Sequence, residues 1–205
     1  MKSAPVNDNI YIMDNSITHY NIPKHVKRIS IDFDGVLMSL FMGRSWVQPF
    51  TSKSSKNGDR KRVKYIRIFF DIVSTLISFV TRFPIPGANE FLEKSPKRTK
   101  FILLTSRNSY LKTLTILWLR IFGVFKYFEN FRFNDLKIPQ AEFKVEQIKI
   151  NDIDMHIDDN LPTIQKLSEN YPDKVFIYFN HHKGKSYKGF NVIEMHDWKD
   201  LSFEN

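Results

Sequence analysis

The sequence predicts an α/β fold, in which a mostly parallel β-sheet is flanked by helices. Short apolar runs at 26–33, 101–104 and 153–157 have the length of buried strands and end at polar residues. Segments of helical length at 110–125 and 141–150 lie between these runs and carry apolar positions that can pack against a sheet. Strands that alternate with helices imply crossover connections, and crossover connections produce parallel sheets.

The remaining segments predict more elements of the same kind. Residues 161–170 have a helical pattern. Short apolar runs indicate further strands at 131–133, 174–179 and 191–193, and the strand at 191–193 is expected to be the last. Residues 1–24 are polar and lead to Pro23, which predicts an irregular N-terminal lead-in.

The expected core consists of residues 25–35 and 99–205, with an insertion at 36–98 that forms a flap or small cap. Within the insertion, residues 51–64 are basic and rich in serine, which predicts a solvated loop. Residues 66–83 are apolar and are followed by a Pro-Ile-Pro-Gly turn. The insertion is therefore expected to lie over one edge of the sheet.

The apolar segment 66–83 permits three interpretations. Its length approaches the ~20 residues that span a bilayer, but Arg67 and Asp71 interrupt it and a single span would divide the sheet. We expect a cap helix that packs against the core. A peripheral helix that contacts an anionic membrane through residues 53–83 is the first alternative, and a helix that binds a partner protein is the second.

Composition narrows the function classes. The chain has 205 residues and no cysteine, which excludes disulfides, thiolate catalysis and cysteine zinc sites and favours a reducing compartment. The net charge of +9 and the pI near 9.6 favour acidic partners such as phosphate esters, nucleic acid or an anionic membrane. No secretory signal is visible. We expect a cytoplasmic protein, with membrane association left open.

Acidic and hydroxyl side chains follow three of the predicted strands. Asp32 and Asp34 follow the first run, Thr105 follows the second, and Asp158 and Asp159 follow the third. Ligands of open α/β sheets bind outside the carboxyl ends of the strands. These three polar clusters are therefore expected to converge on one edge of the sheet.

The Asp-Phe-Asp-Gly sequence places two carboxylates at a turn. Because the chain turns at Gly35, Asp32 and Asp34 can both reach one small site. One carboxylate can attack phosphorus and form a covalent aspartyl-phosphate. The other can protonate the leaving oxygen and then activate water. A strand that ends in an ordinary Asp-Gly turn explains the same residues without any function.

Adjacent acids at a buried strand end are costly unless a cation neutralises them. Asp158 and Asp159, together with Asp32, offer the hard oxygen ligands that Mg²⁺ prefers. An acidic loop, or an N-cap for the helix that begins at residue 161, is the alternative.

Phosphate-binding groups are expected close to these acids. The hydroxyls of Thr105 and Ser106 and the N–H groups of their turn can bind a phosphate oxygen, or they can simply cap a helix. Lys144 is the leading candidate for neutralising phosphate charge, with Lys137 and Lys149 as possible substitutes.

The four elements occur in the order that characterises one enzyme superfamily. The sequences ISIDFDGV, FILLTSR and MHIDDN, with Lys144 between the last two, resemble the motifs of the haloacid dehalogenase-like (HAD) superfamily, phosphatase branch. The resemblance covers residues 26–160. It implies a Rossmann-like core with a small helical cap inserted between the first and second motifs.

The resemblance also implies a role for each motif residue. Asp32 is the nucleophile, and Asp34 is the general acid and base, whose backbone carbonyl also binds the metal. Thr105 and Lys144 bind the phosphoryl group. Asp158 either binds the metal or holds the lysine. The implied metal ligands are Asp32, Asp34, Asp158 and Asp159.

The implied function is Mg²⁺-dependent hydrolysis of a phosphorylated small molecule, of which nucleotides and sugar phosphates are examples. The second acid, Asp34, favours phosphate chemistry over dehalogenation. Phosphotransfer remains open, as does an inactive protein of this fold that acts as a basic module for nucleic acid or a membrane surface. His156 is expected to be packed, and His181 and His182 are expected at the surface.

Overall fold

The computed structural model describes residues 10–13, 16–40, 82–181 and 183–204. The strands are β1 (Ile10–Met13), β2 (Ser16–Ile22), β3 (Arg28–Ile31), β4 (Met38–Leu40), β5 (Arg82–Pro84), β6 (Lys100–Thr105), β7 (Phe128–Phe133), β8 (Met155–Asp158), β9 (Val175–Phe179), β10 (Val192–Met195) and β11 (Leu201–Phe203). The α-helices are α1 (Ala88–Glu93), α2 (Lys112–Ile121), α3 (Gln140–Ile150) and α4 (Leu161–Asn170).

Six of these strands form the central sheet, in the order β10-β9-β8-β3-β6-β7. Every neighbouring pair in this sheet is parallel. The register places Ile31 of β3 beside Leu103 of β6 and Ile157 of β8. The predicted α/β class with a mostly parallel sheet is therefore confirmed.

Helices cover both faces of the sheet, because the central strands are apolar on both sides. Along β6, Phe101 and Leu103 belong to one core cluster, whereas Ile102 and Leu104 belong to the other. Helices α1 and α2 contribute to the first cluster, for example through Trp118. Helices α3 and α4 contribute to the second.

The N-terminal segment departs from the sequence prediction. The prediction of an irregular lead-in over 1–24 is wrong for residues 10–13 and 16–22, which form β1 and β2. Strand β2 pairs in parallel with β11, so the strand at 192–195 is not the last one. Strand β2 also pairs antiparallel with β1, which precedes it in the chain. Its other partner, β11, lies about 180 residues away in sequence, and local composition does not reveal such a pairing.

The expected insertion is described only at its two ends. Strands β4 and β5 pair antiparallel there, and α1 packs into the core through Phe91 and Leu92. Residues 41–81 lie outside the described residues, and with them the predicted helical cap and the proposed membrane contact at 53–83. Among the described residues, no helix has the length and apolarity needed to cross a membrane.

Candidate active site

Three neighbouring strands bring the predicted polar clusters together. Strand β3 lies between β6 and β8 in the sheet. Asp32 directly follows β3, Thr105 ends β6 and Asp158 ends β8. The backbone N–H of Asp32 donates to the carbonyl of Ile157 at 3.0 Å, which extends the ladder to the first acid. All three side chains are buried.

Lys144 links two of the acids from helix α3. Its Nζ donates to Asp158 Oδ2 at 2.7 Å and lies 3.0 Å from Asp32 Oδ1. The Lys144 side chain is fully buried, whereas Lys137 and Lys149 are exposed. Of the three lysines considered from the sequence, Lys144 is the one that occupies the site.

Burial and charge shift the pKa values of this group in different directions. Burial raises the pKa of Asp32 well above its ordinary value; Lys144 opposes that rise and the charge of Asp158 adds to it. Burial alone would lower the pKa of Lys144, but Asp158 and Asp32 outweigh it and the net shift is upward. Burial alone would raise the pKa of Asp158, but the charge of Lys144 and a hydrogen bond from His156 outweigh burial, so the pKa of Asp158 is lowered.

Two further buried side chains, those of Ser30 and His156, form a series of hydrogen bonds that ends at Asp158. Ser30 and His156 face each other across β3 and β8, with Ser30 Oγ 2.7 Å from His156 Nδ1. His156 Nε2 lies 3.3 Å from Asp158 Oδ2. Burial lowers the pKa of His156, which favours the neutral ring. A carboxylate only accepts, so a neutral ring bonded to Asp158 carries its hydrogen on Nε2 and accepts from Ser30 at Nδ1. His156 is packed, as predicted, but no sequence pattern indicates that it contacts the acid.

Asp159 approaches the loop that carries the first two acids. A Cβ at Gly35 would lie 2.1 Å from Asp159 Oδ2, so this carboxylate packs directly against the glycine backbone. The helix-capping role belongs to the next residue: Asn160 Oδ1 accepts from the N–H of Thr163 at 3.0 Å. Asp159 also lines an open cleft with Tyr178 and Lys185.

The acidic group has the composition of a divalent-cation site. One oxygen from each of Asp32, Asp158 and Asp159 lies within 4.8 Å of the others. Asp32 Oδ1 is buried and, among the described residues, accepts no hydrogen bond, because its contact with Lys144 Nζ lacks hydrogen-bond geometry. Lys144 contacts two of the three carboxylates, those of Asp32 and Asp158. Three hard carboxylate oxygens this close together fit Mg²⁺.

Asp34 lies apart from that group and binds two arginines. Arg107 donates from Nε to Oδ2 at 2.7 Å and from a terminal nitrogen to Oδ1 at 2.8 Å, while Arg82 also donates to Oδ1. The Arg107 guanidinium lies 4.5 Å from the centre of the Phe33 ring and donates to Thr115 Oγ1. Sequence reasoning missed both arginines: Arg107 stands inside FILLTSR without an assigned role, and no pattern marks Arg82.

The hydroxyls predicted to bind phosphate lie in the loop after β6. Thr105 is fully buried, and its Oγ1 accepts from the N–H of Arg107 at 3.3 Å. Ser106 follows and is half-buried. The hydrogen bond from Arg107 to the Thr105 hydroxyl stabilises this turn. Phosphate binding by Thr105 and Ser106 stays a prediction.

No family model matches the sequence, and no curated protein is significantly similar to it. Solved structures are similar in fold. A HAD-superfamily hydrolase of subfamily IA from Geobacter sulfurreducens has a TM-score of 0.57 and 13% identity, over 86% of this chain and 97% of its own. A predicted phosphoglycolate phosphatase from Haemophilus somnus has a TM-score of 0.61 and 12% identity, over 85% and 96%. A 2-haloacid dehalogenase from Pseudomonas syringae has a TM-score of 0.51 and 15% identity, over 85% and 95%.

The parallel sheet and the acids at the ends of its strands define an α/β protein with a polar site at the sheet edge. Its fold is that of the HAD-superfamily hydrolases. Because this fold is shared by structures described as phosphatases and by one described as a dehalogenase, the activity must be argued from the site itself.

Proposed function

We propose that this protein is a Mg²⁺-dependent phosphomonoester hydrolase that acts through an aspartyl-phosphate on Asp32. The observation that carries the proposal is the buried contact of Lys144 with both Asp32 and Asp158, beside a third carboxylate. Phosphoryl transfer depends mainly on positioning and on neutralising anionic oxygens. A lysine and a cation site beside a buried carboxylate provide that apparatus.

In the first step, a carboxylate oxygen of Asp32 attacks phosphorus. The new bond joins this oxygen to phosphorus, the ester P–O bond breaks, and Asp34 gives a proton to the departing alcohol oxygen. In the second step, Asp34 takes a proton from water, whose oxygen attacks phosphorus. The bond to Asp32 then breaks and inorganic phosphate leaves.

Charge explains why the site combines these groups. The pKa of Asp32 is raised by burial, yet a nucleophile must be ionised, so nearby positive charge is needed. Lys144 supplies part of that charge. Asp32, Asp158 and Asp159 would hold Mg²⁺, which supplies Lewis-acid neutralisation of the phosphoryl oxygens. Thr105, Ser106 and the N–H groups of their loop would orient the phosphoryl group.

The test compares wild-type protein with Asp32→Asn on p-nitrophenyl phosphate, first with Mg²⁺ and then with a chelator. We expect phosphate release from wild-type protein only with Mg²⁺, and none from Asp32→Asn. Asp152→Asn is the matched control, because this carboxylate is exposed and pairs with Arg28 at the surface. Hydrolysis that survives Asp32→Asn would refute the aspartyl-phosphate.

A second measurement tests the nucleophile without turnover, in case p-nitrophenyl phosphate does not bind in the cleft. Beryllium fluoride mimics a phosphoryl group on a carboxylate, so with Mg²⁺ it should raise the melting temperature of wild-type protein but not of Asp32→Asn. If wild-type protein neither turns over the ester nor responds to beryllium fluoride, the hydrolase proposal fails and an inactive protein of this fold is favoured.

A further inference from the structure

Arg82 and Arg107 both pair with the carboxylate of Asp34, and neither arginine has a role in the proposed chemistry. Their side chains are only 13% and 14% exposed, whereas the Asp34 side chain between them is 40% exposed. Within this trio, two positive charges face one carboxylate. Arg82 Nε is also buried and, in the described part of the chain, has no hydrogen-bond partner. Buried guanidinium groups with spare donors favour binding of a further anion.

We propose that Arg82 and Arg107 bind a second anionic group of the substrate, and that Asp34 occupies this site in the absence of substrate. The inference rests on the proposed hydrolase function. The substrate class that it defines is a small phosphate ester that carries a carboxylate or another phosphate.

The geometry of Arg107 suits such a group. Its Nε and one terminal nitrogen already grip a carboxylate through two hydrogen bonds of 2.7 and 2.8 Å, the fork geometry that recognises carboxylates and phosphates. The hydrogen bond to Thr115 and the stacking on Phe33 do not involve Asp34. Arg107 is therefore held in place whether its partner is Asp34 or a ligand.

The position of the arginines limits the size of the substrate. Asp34 is two residues from Asp32, so their Cα atoms are at most about 7 Å apart, and the charge of Asp34 is close enough to raise the pKa of Asp32. An anion that replaces the Asp34 carboxylate would thus lie close to the phosphorus that Asp32 attacks. The ester should have a short carbon chain between its two anionic groups.

Displacement of Asp34 also agrees with its proposed role. Arginine has donors only, so both oxygens of Asp34 act as acceptors while the two guanidinium groups hold it. To protonate a leaving group, Asp34 must carry a hydrogen and direct it at the substrate. An anionic group of the substrate that binds Arg82 and Arg107 in place of Asp34 releases Asp34. A substrate with such a group thereby frees the general acid that its own hydrolysis requires.

The experiment uses three two-carbon esters with Mg²⁺: ethyl phosphate, phosphoglycolate and ethylene glycol bisphosphate. We expect kcat/KM of wild-type protein to be at least about tenfold higher for one of the two acidic esters than for ethyl phosphate. The preferred ester identifies the second group as carboxylate or phosphate. In Arg82→Gln and Arg107→Gln this ratio should fall to about one, because the hydrogen bonds between charged groups that create the preference are lost.

Two further variants sharpen the comparison. Arg107→Lys keeps the charge but loses the fork, so its ratio should lie between those of wild-type protein and Arg107→Gln. Arg120→Gln is the matched control, since Arg120 is exposed and stacks on Phe125 away from the site; its ratio should not change. If a Gln variant does not fold, the wild-type ratio and Arg107→Lys decide.

Binding without turnover separates this inference from the hydrolase proposal. Phosphonoacetate should raise the melting temperature of wild-type protein more than ethylphosphonate does, and this difference should vanish in the Gln variants. That result, with no hydrolysis of any ester and no response to beryllium fluoride, would support the anion site and refute the hydrolase. Equal kcat/KM for all three esters, with Mg²⁺-dependent turnover, would overturn the anion site and leave the hydrolase proposal standing.

Discussion

Gly35 lies so close to the carboxylate of Asp159 that no side chain fits between them. A Cβ at position 35 would be 2.1 Å from Asp159 Oδ2 and 2.5 Å from Asp159 Cγ. The φ of Gly35 is +79°, a left-handed value that residues with a side chain rarely adopt. The absence of a side chain at Gly35 thus lets the loop of Asp32 and Asp34 pack against the carboxylate of Asp159.

Gly35→Ala should therefore destabilise the protein and disturb the acidic group. The left-handed backbone costs an alanine about 1–2 kcal/mol, and the displacement of Asp159 adds to that cost. We expect a lower urea midpoint. Stabilisation of the folded protein by Mg²⁺ should also be weaker, because Asp159 is one of the three carboxylates.

Gly123→Ala is the matched control for this variant. Gly123 has a similar φ of +72°, but a Cβ there would meet nothing within 4 Å. It should show the backbone cost alone and keep the full response to Mg²⁺. Equal losses in both variants would show that the contact with Asp159 has no energetic role.

Removal of the Lys144 charge should be strongly destabilising. Lys144→Met leaves Asp32 and Asp158 buried without the ammonium between them, and a broken buried ion pair costs about 3–5 kcal/mol. The free energy of unfolding from urea titrations measures the loss. In the double variant Lys144→Met with Asp158→Asn, part of the loss should be recovered, since one uncompensated carboxylate is gone.

Lys149→Met provides the comparison on the same helix. Lys149 is exposed near the end of α3, and substitutions at such positions change stability by about 0.5 kcal/mol or less. A loss in Lys144→Met no larger than in Lys149→Met would contradict the buried ion pair.

The parallel sheet and its acidic edge were predictable because they depend on local patterns. Each central strand is a short apolar run, and the polar residues follow the runs directly. Because the carboxyl ends of parallel strands lie at one edge of the sheet, the convergence of Asp32, Thr105 and Asp158 was predictable. The helix at 161–170 was predicted with its observed bounds, since Asn160 and Pro162 mark its start.

Features that depend on distant pairing were not predictable. Strand β2 has no continuous apolar run in sequence. Its strand character comes from pairing with β1 and β11 and from burial of Tyr20 and Ile22 in the core. The arginines that hold Asp34 are reached only through the fold, because Arg82 is 48 residues and Arg107 is 73 residues from it. In a basic chain, no local signal separates these arginines from the others.

Asp32→Asn should increase the stability of the metal-free protein at neutral pH. The folded-state pKa of Asp32 lies above the unfolded value of 3.8, so the folded protein holds this proton more tightly. The free energy of unfolding therefore decreases as pH rises from about 3.8 through the folded-state pKa. The asparagine of Asp32→Asn does not ionise, so this pH-dependent loss of stability is absent in the variant, and Lys144 pairs with Asp158 alone.

Thermal unfolding of both proteins in chelator, from pH 4 to pH 8, measures the effect. The advantage of Asp32→Asn should be small at pH 4 and should grow with pH, by at most about 1.4 kcal/mol per pH unit for one proton. Asp152→Asn, an exposed carboxylate, should show no such growth. An advantage that shrinks as pH rises would show that Asp32 is stabilised as a charged group.

His156→Gln should change how stability responds to acid. Burial lowers the pKa of His156 in the folded state, so the unfolded chain takes up this proton first as pH falls below the ordinary histidine value of 6.5. Wild-type protein should therefore lose stability between pH 7 and pH 5 by up to about 1.4 kcal/mol per pH unit more than His156→Gln. His25→Gln, at an exposed position, should retain the wild-type slope. Because His25→Gln removes an imidazole without touching the Ser30–His156–Asp158 chain, equal slopes in wild-type protein and both variants would mean that the buried ring is not held neutral.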